Sequence, residues 1–257
     1  MAASANDRPT VDETIEATAV PVLEFGRGWM MDGATAARSA ELGFGPGFGF
    51  WVNGRAGVLG EVDADVAAAA IGFMAPAWVR DHWEGRPAGL SPAAATAAYA
   101  EAAATWGRGV LAGVDEARLQ RLAELCHEVA AAALPSTGVL FAGWRALTLP
   151  DDPAGRATIA LNVLRELRGG AHLSAVHAVG LGPHLAVLSA DDPVRGGVAG
   201  AERFGWQGPH PEPDPEARRE AERVTTVICR PAYEGLGPAE RAELIDLVAE
   251  ARSAMDR

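Results

Sequence analysis

The sequence predicts an all-α fold, a bundle of about eight to ten helices, and three observations support this prediction. Several segments carry apolar residues at the three- and four-residue spacings of amphipathic helices. Ser-Pro, Asp-Pro and Gly-Pro pairs recur where helices would begin, with the first residue as N-cap and the proline at the first helical position. No segment alternates convincingly between apolar and polar residues, so no strand is predicted.

The composition is that of a soluble protein of one large or two small domains. The chain has 257 residues, of which 49% are hydrophobic and 22% are charged. Its net charge of -12 disfavours a phosphate backbone, which argues against nucleic acid as a partner. No apolar run reaches the ~18 residues of a membrane span, and no signal-peptide pattern is present. We therefore expect a cytoplasmic protein with no membrane partner.

Two residue types limit the chemistry that the chain can perform. All 22 basic residues are arginine, so a Schiff-base lysine and a P-loop lysine are both excluded. The two cysteines, Cys126 and Cys229, are too few for a disulfide scaffold and suit a reducing compartment. Neither lies in a basic cluster that would indicate a nucleophile.

The N-terminal third of the chain carries the weakest helix signals. Residues 1–20 are polar and acidic, and we expect them to form a flexible arm. Residues 21–60 are rich in glycine and aromatic residues, with glycines alternating with Phe44, Phe48 and Phe50. This pattern is typical of a tight loop that packs aromatic rings on the body, or of the wall of an aromatic pocket.

The rest of the chain divides into three parts. A helical body over 21–190 is followed by a Pro/Gly-rich connection over 191–214. Residues 215–257 are predicted to form a C-terminal helical pair that packs on the body. The predicted helix starts are Asp63 or Asp65, Ser91-Pro92, Asp115, Ser136, Asp152-Pro153, Gly182-Pro183, Asp214-Pro215 and Gly237-Pro238.

The helix that begins at Pro153 carries the candidate site. Arg165, Arg168 and His172 follow one another at helical spacing on a face whose two ends are apolar. A face of this kind is covered by other elements, and a buried charge costs several kcal/mol unless it is paired. The three side chains therefore require carboxylates or an anionic ligand. Glu166 falls on a different face, and we expect it to be solvated.

Gly169 and Gly170 interrupt the same helix. Each glycine costs about 0.5–1 kcal/mol relative to alanine, so the pair needs a structural reason. Either another element crosses closely here, with the arginines in structural salt bridges, or a ligand approaches. His177 lies about 140° around the helix from His172, so the two cannot ligate one metal.

No metal and no other cofactor is predicted. Glu124 and His127 form the Glu-x-x-His pair that di-iron helical bundles use, but no second pair accompanies it. These two residues are the one metal option that the sequence offers.

Four segments resemble a known family. They are NGRAGVLG at 53–60, IGFMAP at 71–76, LRELRGGAHLSAVHAVGLGP at 164–183 and EARREAERVTTVICRPAYEGLG at 216–237. The chain resembles a family of actinobacterial proteins described as a helix-turn-helix family. Its pattern matches Arg55, Arg168, Gly169 and His172. The resemblance implies a helical body with a winged-helix-like unit near the C-terminus, and it implies no particular reaction. Here the Pro-rich stretch QGPHPEPDPEA leaves little room for that unit, so the winged-helix portion is shortened or absent.

These observations favour a small-molecule-binding protein, interpreted as an enzyme of specialised metabolism. Its site would be an apolar, aromatic cavity that accepts an anionic or carbonyl substrate, with His172 as general acid/base beside Arg168. One alternative is a DNA-binding regulator of the helix-turn-helix kind, and another is a structural or partner-binding helical protein. A homodimer is a further option. The predicted substrate-binding residues are Trp29, Trp51, Arg55, Arg165, Gly169, Gly170 and His177.

Overall fold

The computed structural model describes residues 8–192 and 194–257, and neither range contains a strand. The all-α prediction is confirmed, but the described residues form thirteen α-helices, more than the eight to ten expected. Short 3-10 helices cover Gly57–Leu59 and Pro135–Thr137. The α-helices are α1 (Val11–Met30), α2 (Gly33–Glu41), α3 (Gly49–Ala56), α4 (Ala64–Ile71), α5 (Pro76–Glu84), α6 (Pro92–Val110), α7 (Glu116–Ala132), α8 (Val139–Arg145), α9 (Pro153–Ala178), α10 (Pro183–Leu188), α11 (Gly197–Arg203), α12 (Pro215–Tyr233) and α13 (Pro238–Ala254).

Most of the predicted helix starts are present, but Ser136 does not begin a helix: it lies in the 3-10 helix Pro135–Thr137, and α8 begins at Val139 after Gly138. The side chain of Ser91 accepts a hydrogen bond from the first turn of α6, and that of Asp115 does the same for α7. Asp152 and Asp214 cap α9 and α12, and each is followed by proline. Asp63, rather than Asp65, caps α4. These side chains satisfy backbone N–H groups that have no partner within the helix.

The N-terminal expectation needs correction over residues 11–20. These residues form the first half of α1, whereas residues 1–7 of the expected arm lie outside the described part of the chain. The helix begins at a capping box, in which Thr10 and Glu13 bind each other's backbone N–H groups at 2.7 and 3.2 Å. Ile15 is buried beneath it. The glycine-rich segment likewise contains α2 and α3, and the connection over 191–214 contains α11.

Helix α9 lies at the centre of the molecule. It packs against α1, α6, α7, α8 and α12, and the C-terminal α13 packs against α1 and α7. Because neighbours surround it, α9 buries residues on nearly all sides and shows no single apolar stripe. None of the described helices has the length and apolar character needed to cross a membrane.

Candidate functional site

Two arginines share one buried carboxylate at the junction of α3 and α9. Arg55 Nε and Nη2 donate to the two carboxylate oxygens of Glu166 at 2.8 and 2.9 Å. Arg165 Nη1 donates to the Oε1 atom of the same carboxylate at 2.8 Å. Glu166 is only 1% exposed. The expectation that Glu166 is solvated is therefore wrong, because its carboxylate is buried against the guanidiniums of Arg55 and Arg165.

Four further polar groups around this junction have no hydrogen-bond partner among the described residues. They are the indole nitrogen of Trp29, the hydroxyl of Tyr99, both amide atoms of Asn162 and the Nε of Arg165. Trp29 on α1 and Tyr99 on α6 pack ring to ring, with centroids 4.5 Å apart. We call Trp29, Arg55, Tyr99, Asn162, Arg165 and Glu166 the central polar cluster.

Helix spacing and one glycine bring the cluster together. Asn162 lies one turn before Arg165 and Glu166 on α9, so the three side chains leave the helix on adjoining faces. The side chain of Arg165 crosses α1 at Gly26, where an added Cβ would stand 2.6 Å from the arginine Cδ. The guanidinium of Arg55 lies 5.1 Å from the Trp51 ring centroid, a cation–π contact.

The cluster carries one net positive charge at neutral pH. Burial lowers the pKa of Arg165 to about 10, which still leaves the guanidinium protonated. Burial opposes ionisation of Glu166, but attraction to Arg55 and Arg165 outweighs it and lowers the pKa of the carboxyl. Burial raises the pKa of Tyr99, so its hydroxyl stays neutral. Two guanidiniums therefore face a single carboxylate.

A second pair of arginines, one of which lies on α1, adds positive charge nearer the surface. Arg27 and Arg195 both bind the Asp192 carboxylate, at 3.2 and 2.9 Å. Arg195 lies near enough to Arg165 to contribute to the lowering of its pKa. This outer trio also has two cations for one anion, so the excess of positive charge continues from the cluster towards the surface.

Both predicted catalytic residues, Arg168 and His172, lie in a separate cluster between α9 and α12. Arg168 and Arg218 both form ion pairs with Glu222. His172 Nδ1 lies 2.9 Å from the Thr225 hydroxyl, which itself donates to the carbonyl of Ala221. The hydroxyl oxygen therefore accepts from the imidazole, and this geometry assigns the ring proton to Nδ1. The structure thus separates Arg165 from Arg168 and His172.

The environment of His172 keeps its imidazole neutral. Burial lowers its pKa to about 4, although the Glu222 carboxylate acts in the opposite direction. Its Nε2 is buried with no hydrogen-bond partner among the described residues, and Glu222 Oε1 lies 3.8 Å away. The ring stacks on Phe73 with centroids 5.5 Å apart. His172 therefore offers a lone pair at neutral pH, but it is a weak base.

The two glycines of α9 have different neighbours. A Cβ at Gly170 would stand 2.5 Å from the carbonyl oxygen of Thr137 and 2.7 Å from Cα of Gly138. Gly170 therefore permits a close backbone crossing. This is the first of the two explanations that the sequence offered for the glycine pair, the other being the approach of a ligand. A Cβ at Gly169 would meet only the Arg55 guanidinium, at 3.9 Å, so Gly169 borders the central polar cluster. His177 lies on the exposed side of α9, away from both clusters.

The residues of the metal option lie on the surface of α7. Glu124 and His127 are both exposed, and Glu124 accepts a hydrogen bond from Gln120. Across residues 8–192 and 194–257, no group of three or more His, Cys, Asp or Glu side chains is arranged to hold a metal ion.

An open groove lies elsewhere, before the start of α6. It encloses about 530 Å³ and is lined by Glu61, Trp83, Arg86 and Leu90, among others. No residue of the sequence-predicted site contributes to it. Its Arg86 is already bound to Glu61 at 3.2 Å.

Sequence reasoning missed three members of the central polar cluster: Tyr99, Asn162 and Glu166. One signal could have found two of them. Thr158, Asn162 and Glu166 follow one another at four-residue spacing inside a helix whose other positions are largely apolar. Such a polar stripe, covered on all sides, indicates a buried network rather than a solvated face. Tyr99 stands in an alanine-rich helix that gives no comparable signal.

A family model described as "Helix-turn-helix family" matches residues 29–210 of this chain. The match covers more than half of the sequence, and the chain belongs to this family. It includes every member of the central polar cluster. No curated protein and no solved structure is significantly similar to the chain.

Proposed function

We propose that this protein binds a small polar molecule at the central polar cluster. One observation carries the proposal: Trp29, Tyr99, Asn162 and Arg165 each hold a buried polar atom that has no partner among the described residues. Trp29 packs on Tyr99, and Tyr99 lies close enough to Arg165, Arg55 and Glu166 for their charges to act on its hydroxyl. A buried donor or acceptor without a partner costs about 1–3 kcal/mol. Groups of this kind recur at functional sites, where stability is given up for binding.

Asn162 supports a ligand site more than a structural one. Both its donor and its acceptor are unpartnered in the described residues, although it is only 2% exposed. A leucine of similar size would fill the same position without that cost. The charge balance also supports a ligand site. Two guanidiniums share one carboxylate, so the cluster keeps an uncompensated positive charge.

The interpretation as an enzyme with an anionic or carbonyl substrate belongs to the same proposal. Of the predicted catalytic pair, His172 has a free lone pair at Nε2, whereas Arg168 is bound to Glu222. A proton-acceptor role for His172 would require the substrate to reach the α9–α12 cluster, because a general base must lie within hydrogen-bond reach of the proton that it takes. Arg55, Arg165, Trp29 and Gly169 would serve binding.

Native mass spectrometry of the purified protein, with a denatured control, tests the binding proposal. We expect a small molecule retained by the native protein and absent from the denatured one. Asn162→Leu should lose it, whereas the matched control Gln120→Leu, on the outer part of α7, should keep it. Retention by Asn162→Leu, or an unliganded mass for the unsubstituted protein, would count against the central polar cluster as the site.

Membership of the helix-turn-helix family supports a second candidate, a DNA-binding regulator, more than it supports small-molecule binding. Helices α4 and α5 have the required form, because a four-residue turn with Gly72 at a φ of +80° joins them. In such a unit the N-terminal residues of the second helix read base edges. That helix here begins Pro76-Ala77, which offers no side-chain donor.

The charges of this unit disfavour phosphate contact. Arg80 of α5 is held by Asp65 at 2.5 Å, and the exposed Asp81 and Glu84 share the helix with it. Fluorescence anisotropy with mixed-sequence duplex DNA at low salt decides this candidate. Salt-sensitive binding that Arg80→Ala weakens would establish DNA binding through α5. Unchanged anisotropy at low salt would remove the candidate.

A further inference from the structure

A pair of histidines joins helix α10 to the connection between α11 and α12. Nε2 of His184, on α10, lies 3.0 Å from Nδ1 of His210, in the connection over residues 204–214. At this distance one ring nitrogen donates a proton and the other accepts it, so the bond needs a lone pair on one of the two atoms. His184 also stacks on Trp206, with ring centroids 4.6 Å apart. The stacking holds the imidazole in the orientation that the bond requires.

The same connection is bound to the turn between α4 and α5. The indole N–H of Trp206 donates to the carbonyl of Phe73 at 3.0 Å. The backbone N–H of Ala75 donates to the carbonyl of Phe204 at 2.8 Å. Phe204 and Trp206 pack in a small apolar cluster that is separate from the main core. A region with so few apolar contacts opens at a lower free energy than the core does, so its polar contacts matter more.

One acid faces the ring of His210. Oε1 of Glu202, on α11, lies 3.9 Å from Nε2 of His210, which is buried with no hydrogen-bond partner among the described residues. The other two acids of the connection, Glu212 and Asp214, are exposed, and Asp214 caps α12.

His184 has no acid of its own among the described residues. Arg218 of α12 reaches α10, but it donates to a backbone carbonyl of that helix at 3.0 Å. Helix α9 also packs against α10, but none of its charges shifts the pKa of His184. Burial lowers this pKa, and the charge of His210 lowers it further.

The bond accepts one added proton but not two. A first proton on His210 leaves its Nδ1–H donating to the neutral ring of His184, and it places an Nε2–H opposite the Glu202 carboxylate. A second proton, on His184, puts an N–H on each of the two nitrogens that face each other. No lone pair then remains between them, so the bond is lost and two cations repel.

We propose that the His184–His210 bond is a pH-sensitive clasp, which holds the α11–α12 connection on α10 and on the α4–α5 turn at neutral pH and releases it when both rings are protonated. The clasp acts on the fold itself and requires no ligand at the central polar cluster. Because the closed state takes up the second proton less readily than the open state, closure is complete above the ordinary pKa of histidine. It is lost as the pH falls below that value.

Hydrogen–deuterium exchange with mass spectrometry, at pH 7 and pH 5, tests the clasp in the whole chain. We expect the opening of residues 183–214, corrected for the chemical exchange rate, to rise about fivefold or more at the lower pH, because the coupling of the pair is about one pKa unit or more. Helix α7, in the main core, is the reference for opening of the whole fold.

Two variants assign the effect to the pair. His184→Gln keeps a hydrogen-bonding side chain beside His210 but does not titrate, so it should remove most of the rise. His177→Gln, an exposed histidine on α9, is the matched control and should keep the rise. No rise in the unsubstituted protein, or an equal rise in the two variants, would overturn the clasp.

NMR titration of the imidazole nitrogens gives a readout that does not depend on opening. One ring of the coupled pair should take up its proton about one pH unit or more below the midpoint that it shows when its partner is replaced, in His210→Gln or His184→Gln. Midpoints that stay the same without the partner would show that the rings titrate independently, and this result would also overturn the inference.

Discussion

The guanidinium of Arg55 binds both carboxylate oxygens of Glu166, which lies 111 positions further along the chain. The bond joins α3 to the central helix α9 with both side chains buried. Because Arg165 uses the same carboxylate, one acid holds two cations at the junction of α3 and α9. This relationship sets the charge and the position of the central polar cluster.

Replacing Glu166 should destabilise the protein strongly. Glu166→Gln leaves two buried guanidiniums without a counter-charge, and breaking a buried pair in this way costs about 3–5 kcal/mol. Urea denaturation gives the free energy of unfolding directly. The control is Glu124→Gln on the exposed surface of α7, which should change that energy by less than about 0.5 kcal/mol. Similar values for the two variants would contradict the burial of Glu166.

Two glycines of α6, two residues apart, should respond in opposite ways to alanine. A methyl group at Gly107 would stand 1.9 Å from Thr158 Oγ1, whereas at Gly109 it would meet nothing within 4 Å. Gly107→Ala should therefore lower the melting temperature by forcing α6 away from α9. Gly109→Ala should stabilise the helix by about 0.5–1 kcal/mol. If both variants were stabilised, the close packing of α6 on α9 would be disproved.

His172 should make the stability depend on pH between about 6.5 and 4. Burial lowers its pKa from 6.5 to about 4 in the folded protein. As the pH falls through this window, the unfolded chain takes up a proton that the folded protein does not. Stability is therefore complete above pH 6.5 and is lost progressively towards pH 4, by about 3 kcal/mol at most.

Denaturation curves measured across this pH window check the assignment. His172→Gln should reduce the dependence, because glutamine does not titrate, while His184, whose pKa burial and His210 also lower, should keep a smaller part of it. His177→Gln, an exposed histidine on the same helix, should leave the dependence unchanged. A slope that is as steep in His172→Gln as in the unsubstituted protein would assign the effect to other groups.

Neither cysteine should react with a thiol reagent in the folded protein. Cys126 and Cys229 are both free and buried. Burial raises the pKa of Cys126, and it raises that of Cys229 to about 11, so little thiolate forms at neutral pH. Ellman's reagent should detect two thiols in guanidinium chloride and almost none without it. Rapid labelling of the native protein would show that α7 or α12 opens readily.

Local signals in the sequence predicted the later helices well. Ser91, Asp115, Asp152 and Asp214 cap the helices that they were expected to begin, because a cap depends only on neighbouring residues. The start of α1 was missed although Thr10 and Glu13 form a capping box. The first turns of α1 are polar, as an unstructured arm would be. Only the packing of Ile15 against the rest of the molecule distinguishes this helix from such an arm.

The roles assigned to the site residues stay predictions, because face assignments on α9 depend on its neighbours. Arg165 was expected beneath the surface and is largely buried, but the carboxylate that it shares with Arg55, that of Glu166, was expected in solvent. A single sequence does not reveal that Arg55 reaches Glu166 from α3, or that α12 packs on α9 where Arg168 lies. Asn162 was missed for the same reason, since a lone amide in a helix is ordinarily exposed.

The free energy of unfolding of Asn162→Leu, compared with the unsubstituted protein after both are refolded from denaturant, tests the central claim most directly. If the central polar cluster is built for a ligand, removing two unpartnered buried amide atoms should stabilise the fold by about 1–3 kcal/mol, while small-molecule binding is lost. If Asn162→Leu instead destabilises the protein, its amide is satisfied within the fold, and the cluster is structural rather than a binding site.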